Sequence, residues 1–157
     1  EGKEHENSIR QIEALLEAGK NVAMTVLGDV SIYATWQYLA ERIQADGYQT
    51  VMIPGVTSFC AAAAAANTGL TRRDLPLHIV PASYGKLEKQ MQPEGNYVLM
   101  KAGKALPWLV PLLQERQLLE HTTMLQNIGM EGEWIGTPTA EPTSYFTTLI
   151  IRHPQSK

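Results

Sequence analysis

The amino-acid sequence predicts an α/β fold in two domains, on three observations. The first part of the chain alternates helix, strand, helix, strand, helix. Each of its two strand candidates runs into a glycine-bearing turn, Gly28-Asp29 and Pro54-Gly55. After Thr71-Arg72-Arg73-Asp74-Leu75-Pro76 the pattern becomes strand-rich. Alternating helices and strands indicate a parallel sheet, whose ligands sit at the carboxyl ends of the strands. The expected division is residues 1–72, a parallel α/β domain, and residues 73–157, a mixed-sheet α/β domain.

The elements follow from residue spacing. Ile9, Ile12, Leu15 and Leu16 share one helical face, and Gly19 stops that helix. Val22 to Leu27 is a short apolar run cut off by Gly28-Asp29, which predicts a buried strand. A second helix is expected from Ser31 to Ala45, and a second strand from Thr50 to Ile53. A third helix opens at Thr57 or Ser58 and carries the alanine run Ala61 to Ala66. In the second half, strands are expected at Leu77–Val80, Tyr97–Lys101, Thr122–Asn127 and Tyr145–Arg152, with a short arm at Gly132–Gly136. Helices are expected at Lys86–Gln92 and Leu106–Gln117, where Pro107 suits a first turn and Pro111 kinks the helix or delays its start.

Composition excludes several classes. A net charge of -3 with scattered basic residues gives no electrostatic footprint for nucleic acid. No apolar run reaches the ~20 residues of a membrane helix, and the polar start Glu1-Gly2-Lys3-Glu4 has no signal-peptide pattern. The single cysteine, Cys60, excludes an internal disulfide and suits a reducing cytoplasm. The histidines His5, His78, His121 and His153 lack metal-ligand spacing, so no metal site is expected. There is no GxGxxG fingerprint, Walker loop or nucleophile elbow.

The two turns are the candidate site. Gly28 permits a tight turn and close backbone approach by a ligand. Asp29 either caps the following helix, as Ser31 also could, or accepts hydrogen bonds from an amine or ribose. Thr57 and Ser58 either cap the third helix or grip a polar ligand edge. The alanine run allows close packing on a sheet or leaves room for a flat ligand. Cys60 is expected to be buried and inert. Tyr33 stands where the second helix meets the ligand edge.

Read together, Leu27-Gly28-Asp29-Val30-Ser31-Ile32-Tyr33 and Ile53-Pro54-Gly55-Val56-Thr57-Ser58-Phe59-Cys60 resemble the tetrapyrrole methylase family, and within it the branch that methylates precorrin-2. The likeness continues through Val98-Leu99-Met100-Lys101, Gln126-Asn127-Ile128-Gly129 and Ser144-Tyr145-Phe146-Thr147-Thr148-Leu149-Ile150. The resemblance implies S-adenosylmethionine as cofactor, bound in a cleft between two domains, and a tetrapyrrole substrate, precorrin-2 or cobalt-precorrin-2, methylated at carbon 20 in cobalamin biosynthesis. It implies cofactor contacts from Leu27, Gly28, Asp29, Ile32, Thr57 and Ser58, from Met100 or Lys101, and from Gly129. It also puts Asp29 and Tyr33 on the substrate side as candidates for proton uptake, and implies a homodimer. Family members begin with a strand and a GxGPGD loop that this sequence lacks, so an incomplete first domain is expected. The competing expectations are a methylase of another ring position, or a fragment that binds without catalysing.

Overall fold

The computed structural model describes residues 2–72, 74–83, 87–91 and 94–154. Its helices are α1 (Gly2–Glu17), α2 (Trp36–Ala45), α3 (Ser58–Ala65), α4 (Leu87–Gln90) and α5 (Leu106–Glu115). Its strands are β1 (Leu77–Pro81), β2 (Asn96–Met100), β3 (Thr122–Gln126), β4 (Trp134–Gly136) and β5 (Thr147–Ile151). The chain forms two compact units, residues 1–57 and 58–157.

In the second unit the strands make one mixed sheet in the order β1-β2-β5-β3-β4. β1 and β2 run parallel, and the other neighbours are antiparallel. The central strands are apolar on both faces because helices cover both. Tyr97, Leu99, Met124, Leu149 and Ile151 alternate onto the face packed by Leu106, Leu109 and Leu113 of α5, with Leu87 and Met91 beside them. Leu125 and Ile150 point the other way, onto Ala62 and Ala63 of α3. This is the period-two alternation of strands. The alanine run therefore serves close packing: a helix without bulk settles directly on the sheet. That packing groups α3 with the second unit, so the division by contacts falls at 57/58, ahead of the expected boundary at 72/73, whose Arg73 lies outside the described residues. Lys86 and Gln92, the expected ends of the short helix now seen as α4, also lie outside them.

α5 starts at Leu106 and runs through Pro111, so the delayed start expected as one alternative does not occur. Pro107 and Pro111 are one turn apart and both exposed, and Pro111 has no amide to bond the Pro107 carbonyl.

The first unit departs further from expectation. α1 and α2 pack together through Ile9, Leu39 and Ile43. α1 ends as expected at Gly19, with φ +72°, its amide bonding Leu16 O and the Lys20 amide bonding Leu15 O. The two expected strands, however, are extended segments that enter no ladder among the described residues. Leu27, Val51 and Ile53 are 82%, 82% and 80% exposed. An apolar run signals a wish for burial, whereas a strand exists only by pairing. Beneath these segments lies a cavity of about 610 Å³ lined by Ile12, Leu16, Val26, Trp36, Ile43 and Met52 among others. The second helix starts at Trp36 rather than Ser31, because residues 30–35 form turns and Tyr33 has φ +49°. Cys60 is exposed, not buried, because the face of α3 that meets the sheet is that of Ala62 and Ala63.

Candidate functional site

In the first unit the two turns are locked together by Asp29. Its Oδ1 accepts from the Ser31 amide at 2.8 Å and from the Ser31 hydroxyl, and its Oδ2 accepts from the Gly55 amide at 2.8 Å. Ser31 thus closes an Asx turn, and Gly55, far along the chain, is drawn against the first turn. Only glycine fits there: a Cβ on Gly55 would lie 2.2 Å from the Gly28 carbonyl oxygen. Gly28 itself has φ +98°, a left-handed conformation that glycine adopts freely. The result is a shelf of two abutting glycine backbones, rimmed by exposed Leu27, half-buried Ile32 and Thr57, and Tyr33 at 48% exposure.

The three donors have an electrostatic consequence. The Ser31 hydroxyl first, then the Gly55 and Ser31 amides, hold the Asp29 carboxyl below the usual carboxylate range. A carboxylate depressed in the folded state stabilises that state above its unfolded pKa of about 4 and loses the contribution as pH falls through the folded value. The Gly55 amide should therefore stay protected from hydrogen exchange at neutral pH. It should lose protection below about pH 4, before α5 opens. Equal acid sensitivity of the Gly55 and α5 amides would contradict the lock.

In the second unit the other candidate residues gather at one end of the sheet. Met100 closes β2, and Lys101 follows with φ +57°. Because β5 is antiparallel to both neighbours, its start at Thr147 lies beside the ends of β2 and β3. There the Ala102 amide bonds Thr147 O at 2.9 Å, and the Asn127 amide bonds Phe146 O at 2.9 Å. Gly129 has φ +76°, and nothing within 4 Å stands where a Cβ would be, while its amide donates to Glu133 Oε2 at 2.7 Å. A cavity of about 480 Å³ adjoins, lined by Met124, Gln126, Trp134, Glu141 and Thr143 among others, with the Thr143 hydroxyl on the Gln126 side-chain oxygen.

The structure thus joins Leu27, Gly28, Asp29, Ile32, Tyr33 and Thr57 in one place, and Met100, Lys101 and Gly129 at one sheet end. Ser58 opens α3 as an exposed residue. Gln126, Thr143, Tyr145 and Phe146 were not singled out by sequence reasoning. The adjacent aromatics Tyr145-Phe146, lying just before a β-branched run, were a signal, but they read as the start of the strand. Among the described residues no helix is long and apolar enough to cross a membrane, and no three His, Cys, Asp or Glu side chains gather as a metal site.

A mixed sheet with helices on both faces, preceded by a unit with a paired-glycine shelf, defines an α/β protein. Residues 1–142 match the family model for tetrapyrrole (corrin/porphyrin) methylases, and the chain belongs to that family. It is 31% identical over 147 residues to the cobalt-precorrin-2 C(20)-methyltransferase of Salmonella typhimurium, covering 89% of this chain and 62% of that protein. It is likewise 31% identical over 151 residues to cobalamin biosynthesis protein CobIJ of Mycobacterium tuberculosis, covering 92% of this chain and 29% of that one. Among solved structures, a cobalt precorrin-4 methyltransferase superposes with TM-score 0.78 at 19% identity, covering 94% of this chain and 70% of that one. A uroporphyrin-III C-methyl transferase from Thermus thermophilus, complexed with S-adenosylhomocysteine, gives 0.69 at 15%, covering 97% and 73%. The chain thus spans about three fifths of the length of the Salmonella relative.

Proposed function

We propose that this chain is the larger part of an S-adenosylmethionine-dependent methyltransferase that acts on carbon 20 of precorrin-2 or cobalt-precorrin-2 in cobalamin biosynthesis. The observation that carries the reading is the Asp29 lock. The two motif turns that resemble the family's cofactor loops are held edge to edge by one carboxylate. The residues present suit the cofactor. The Gly28–Gly55 shelf offers backbone that a polar ligand can approach closely, Leu27 and Ile32 offer apolar contact, and the open space over Gly129 leaves room for a ligand atom. The family match and the names of the Salmonella and mycobacterial relatives support the cobalamin setting.

When bound, the sulfonium supplies an already activated methyl group, so no covalent enzyme intermediate is needed. The work left to this chain is alignment and exclusion of water. Leu27, Gly28, Asp29, Ile32, Thr57 and Ser58, either Met100 or Lys101, and Gly129 are the proposed cofactor contacts. Asp29 and Tyr33 are the proposed groups near the reacting carbon. With its oxygens taken up by three donors and its pKa lowered, Asp29 is a weak base and acts chiefly by positioning. The proposal includes a homodimer, supported by the resemblance, and a cytoplasmic location, which the single cysteine suits.

A second reading, methylation at another ring position, follows from the family model, whose description names corrin and porphyrin methylases in general. The deciding experiment is calorimetry with S-adenosylhomocysteine, on this chain and on one lengthened to the span of the Salmonella relative, followed by NMR of the methylated product. Binding by the longer chain with label on carbon 20 is the expected result. No binding by either chain removes the cofactor assignment, and label elsewhere selects the second reading.

A further inference from the structure

Tyr145 and Phe146 are 55% and 45% exposed, although they stand on a tightly tied piece of backbone. The Thr143 amide bonds Gly103 O at 3.1 Å, the Ala102 amide bonds Thr147 O at 2.9 Å, and the Asn127 amide bonds Phe146 O at 2.9 Å. The segment also ties to itself, through the Phe146 amide on Ser144 Oγ at 3.1 Å and the Thr147 hydroxyl on Ser144 O at 2.6 Å. Gly103 is packed so closely that a Cβ would lie 2.1 Å from Ser144 O. Two large rings are therefore held in water by a rigid frame bonded to the exits of both β2 and β3. The rings meet edge to face, 5.4 Å between centroids at 83°, and the Lys101 ammonium stands 5.5 Å over the Tyr145 ring. Single exposed aromatics need no explanation. A rigid aromatic pair with a cation fixed over it is a different object. It brings π surface and positive charge within a few ångströms of each other, which suits a conjugated ligand bearing carboxylates. The acidic Glu133 at this end is engaged by the Gly129 amide.

We propose that Lys101, Tyr145 and Phe146 form a platform for the tetrapyrrole substrate, the rings lying against the macrocycle and the Lys101 ammonium holding one of its carboxylate arms. The proposal rests on the tetrapyrrole methylase reading above and deepens it. It assigns Lys101 to the substrate and leaves Met100, its neighbour at the end of β2, to the cofactor. These residues lie within the second unit, so the platform can be probed in this chain as it stands.

The test is a fluorescence titration of uroporphyrin III, a flat tetrapyrrole octacarboxylate, against the whole chain. The wild type should bind. Tyr145→Ala should weaken binding about tenfold, the loss expected of one aromatic contact. Lys101→Gln should weaken it about threefold and flatten its salt dependence, as befits an exposed ion pair. Tyr145→Phe and Lys101→Arg should bind like wild type. Should Tyr145→Ala fail to fold, wild-type NMR still decides, since uroporphyrin III should shift the amide signals of Lys101, Tyr145 and Phe146. Three outcomes overturn the platform: no porphyrin binding by the wild type, equal binding by the variants, or shifts confined to other residues. A loss of S-adenosylhomocysteine affinity in Lys101→Gln with porphyrin affinity intact also overturns it, returning Lys101 to the cofactor. Calorimetry with S-adenosylhomocysteine reports on the methyltransferase reading separately, so either idea can fail alone.

Discussion

Gly55→Ala is expected to weaken S-adenosylhomocysteine binding roughly 5- to 150-fold in the chain length that binds it, with the melting temperature little changed. The added methyl would sit 2.2 Å from the Gly28 carbonyl oxygen, well inside van der Waals contact, and the obstacle is backbone with no rotamer to move. The two turns must part, and the Gly55 amide leaves Asp29 Oδ2. Relief of such overpacking costs about 1–3 kcal/mol. Spent on the geometry of a binding shelf, that is a loss of roughly 5- to 150-fold in affinity. The fold is spared because Gly55 is exposed and lies in no helix or strand. Calorimetry with a parallel melt checks the expectation. Unchanged affinity would mean that the abutting turns are incidental to the cofactor.

Gly103→Ala is expected to act on the fold instead, lowering the melting temperature by roughly 10 °C. Here the new methyl would meet two carbonyl oxygens, 2.1 Å from Ser144 and 2.5 Å from Thr143. Gly103 is buried beside fully buried Ala102 and Leu106, so the loop has no direction in which to yield. Overpacking of about 1–3 kcal/mol adds to the Thr143–Gly103 and Ala102–Thr147 hydrogen bonds, each worth about 1 kcal/mol. Thermal unfolding followed by circular dichroism measures the effect. A melting temperature within a degree or two of wild type would show that the frame around residues 143–147 is softer than its hydrogen bonds indicate.

The second half was legible in the sequence because its strands are covered by helices on both faces. Tyr97-Val98-Leu99 and Thr147 to Ile151 read as strands from their apolar and β-branched run alone, and they form the sheet's interior. The first half carries the same signal in Val22 to Leu27 and Thr50 to Ile53, yet those residues enter no ladder among the described residues. Local pattern reports what a segment would bury and is silent on whether a partner strand is at hand. Tyr33 was misplaced for a related reason: an aromatic residue gives no hint of a left-handed φ. At the candidate site the glycines and Asp29 were legible as turn residues. The bond between Asp29 and Gly55 was not, because nothing in either short motif says that the two turns touch. Cys60 shows the same limit, its exposure being set by which face of α3 meets Leu125 and Ile150.

The position of β5 has a consequence for how the molecule is made. β1 and β2 form one ribbon and β3 and β4 another, and only β5, the last of the five strands to leave the ribosome, joins them. Until Thr147 to Ile151 has emerged, β2 and β3 each lack the neighbour that pairs their inner edge. The sheet is complete only after the step that pairs β5 with both edges, between strands far apart in sequence. The interval before that step is when this chain most needs shielding from its own copies.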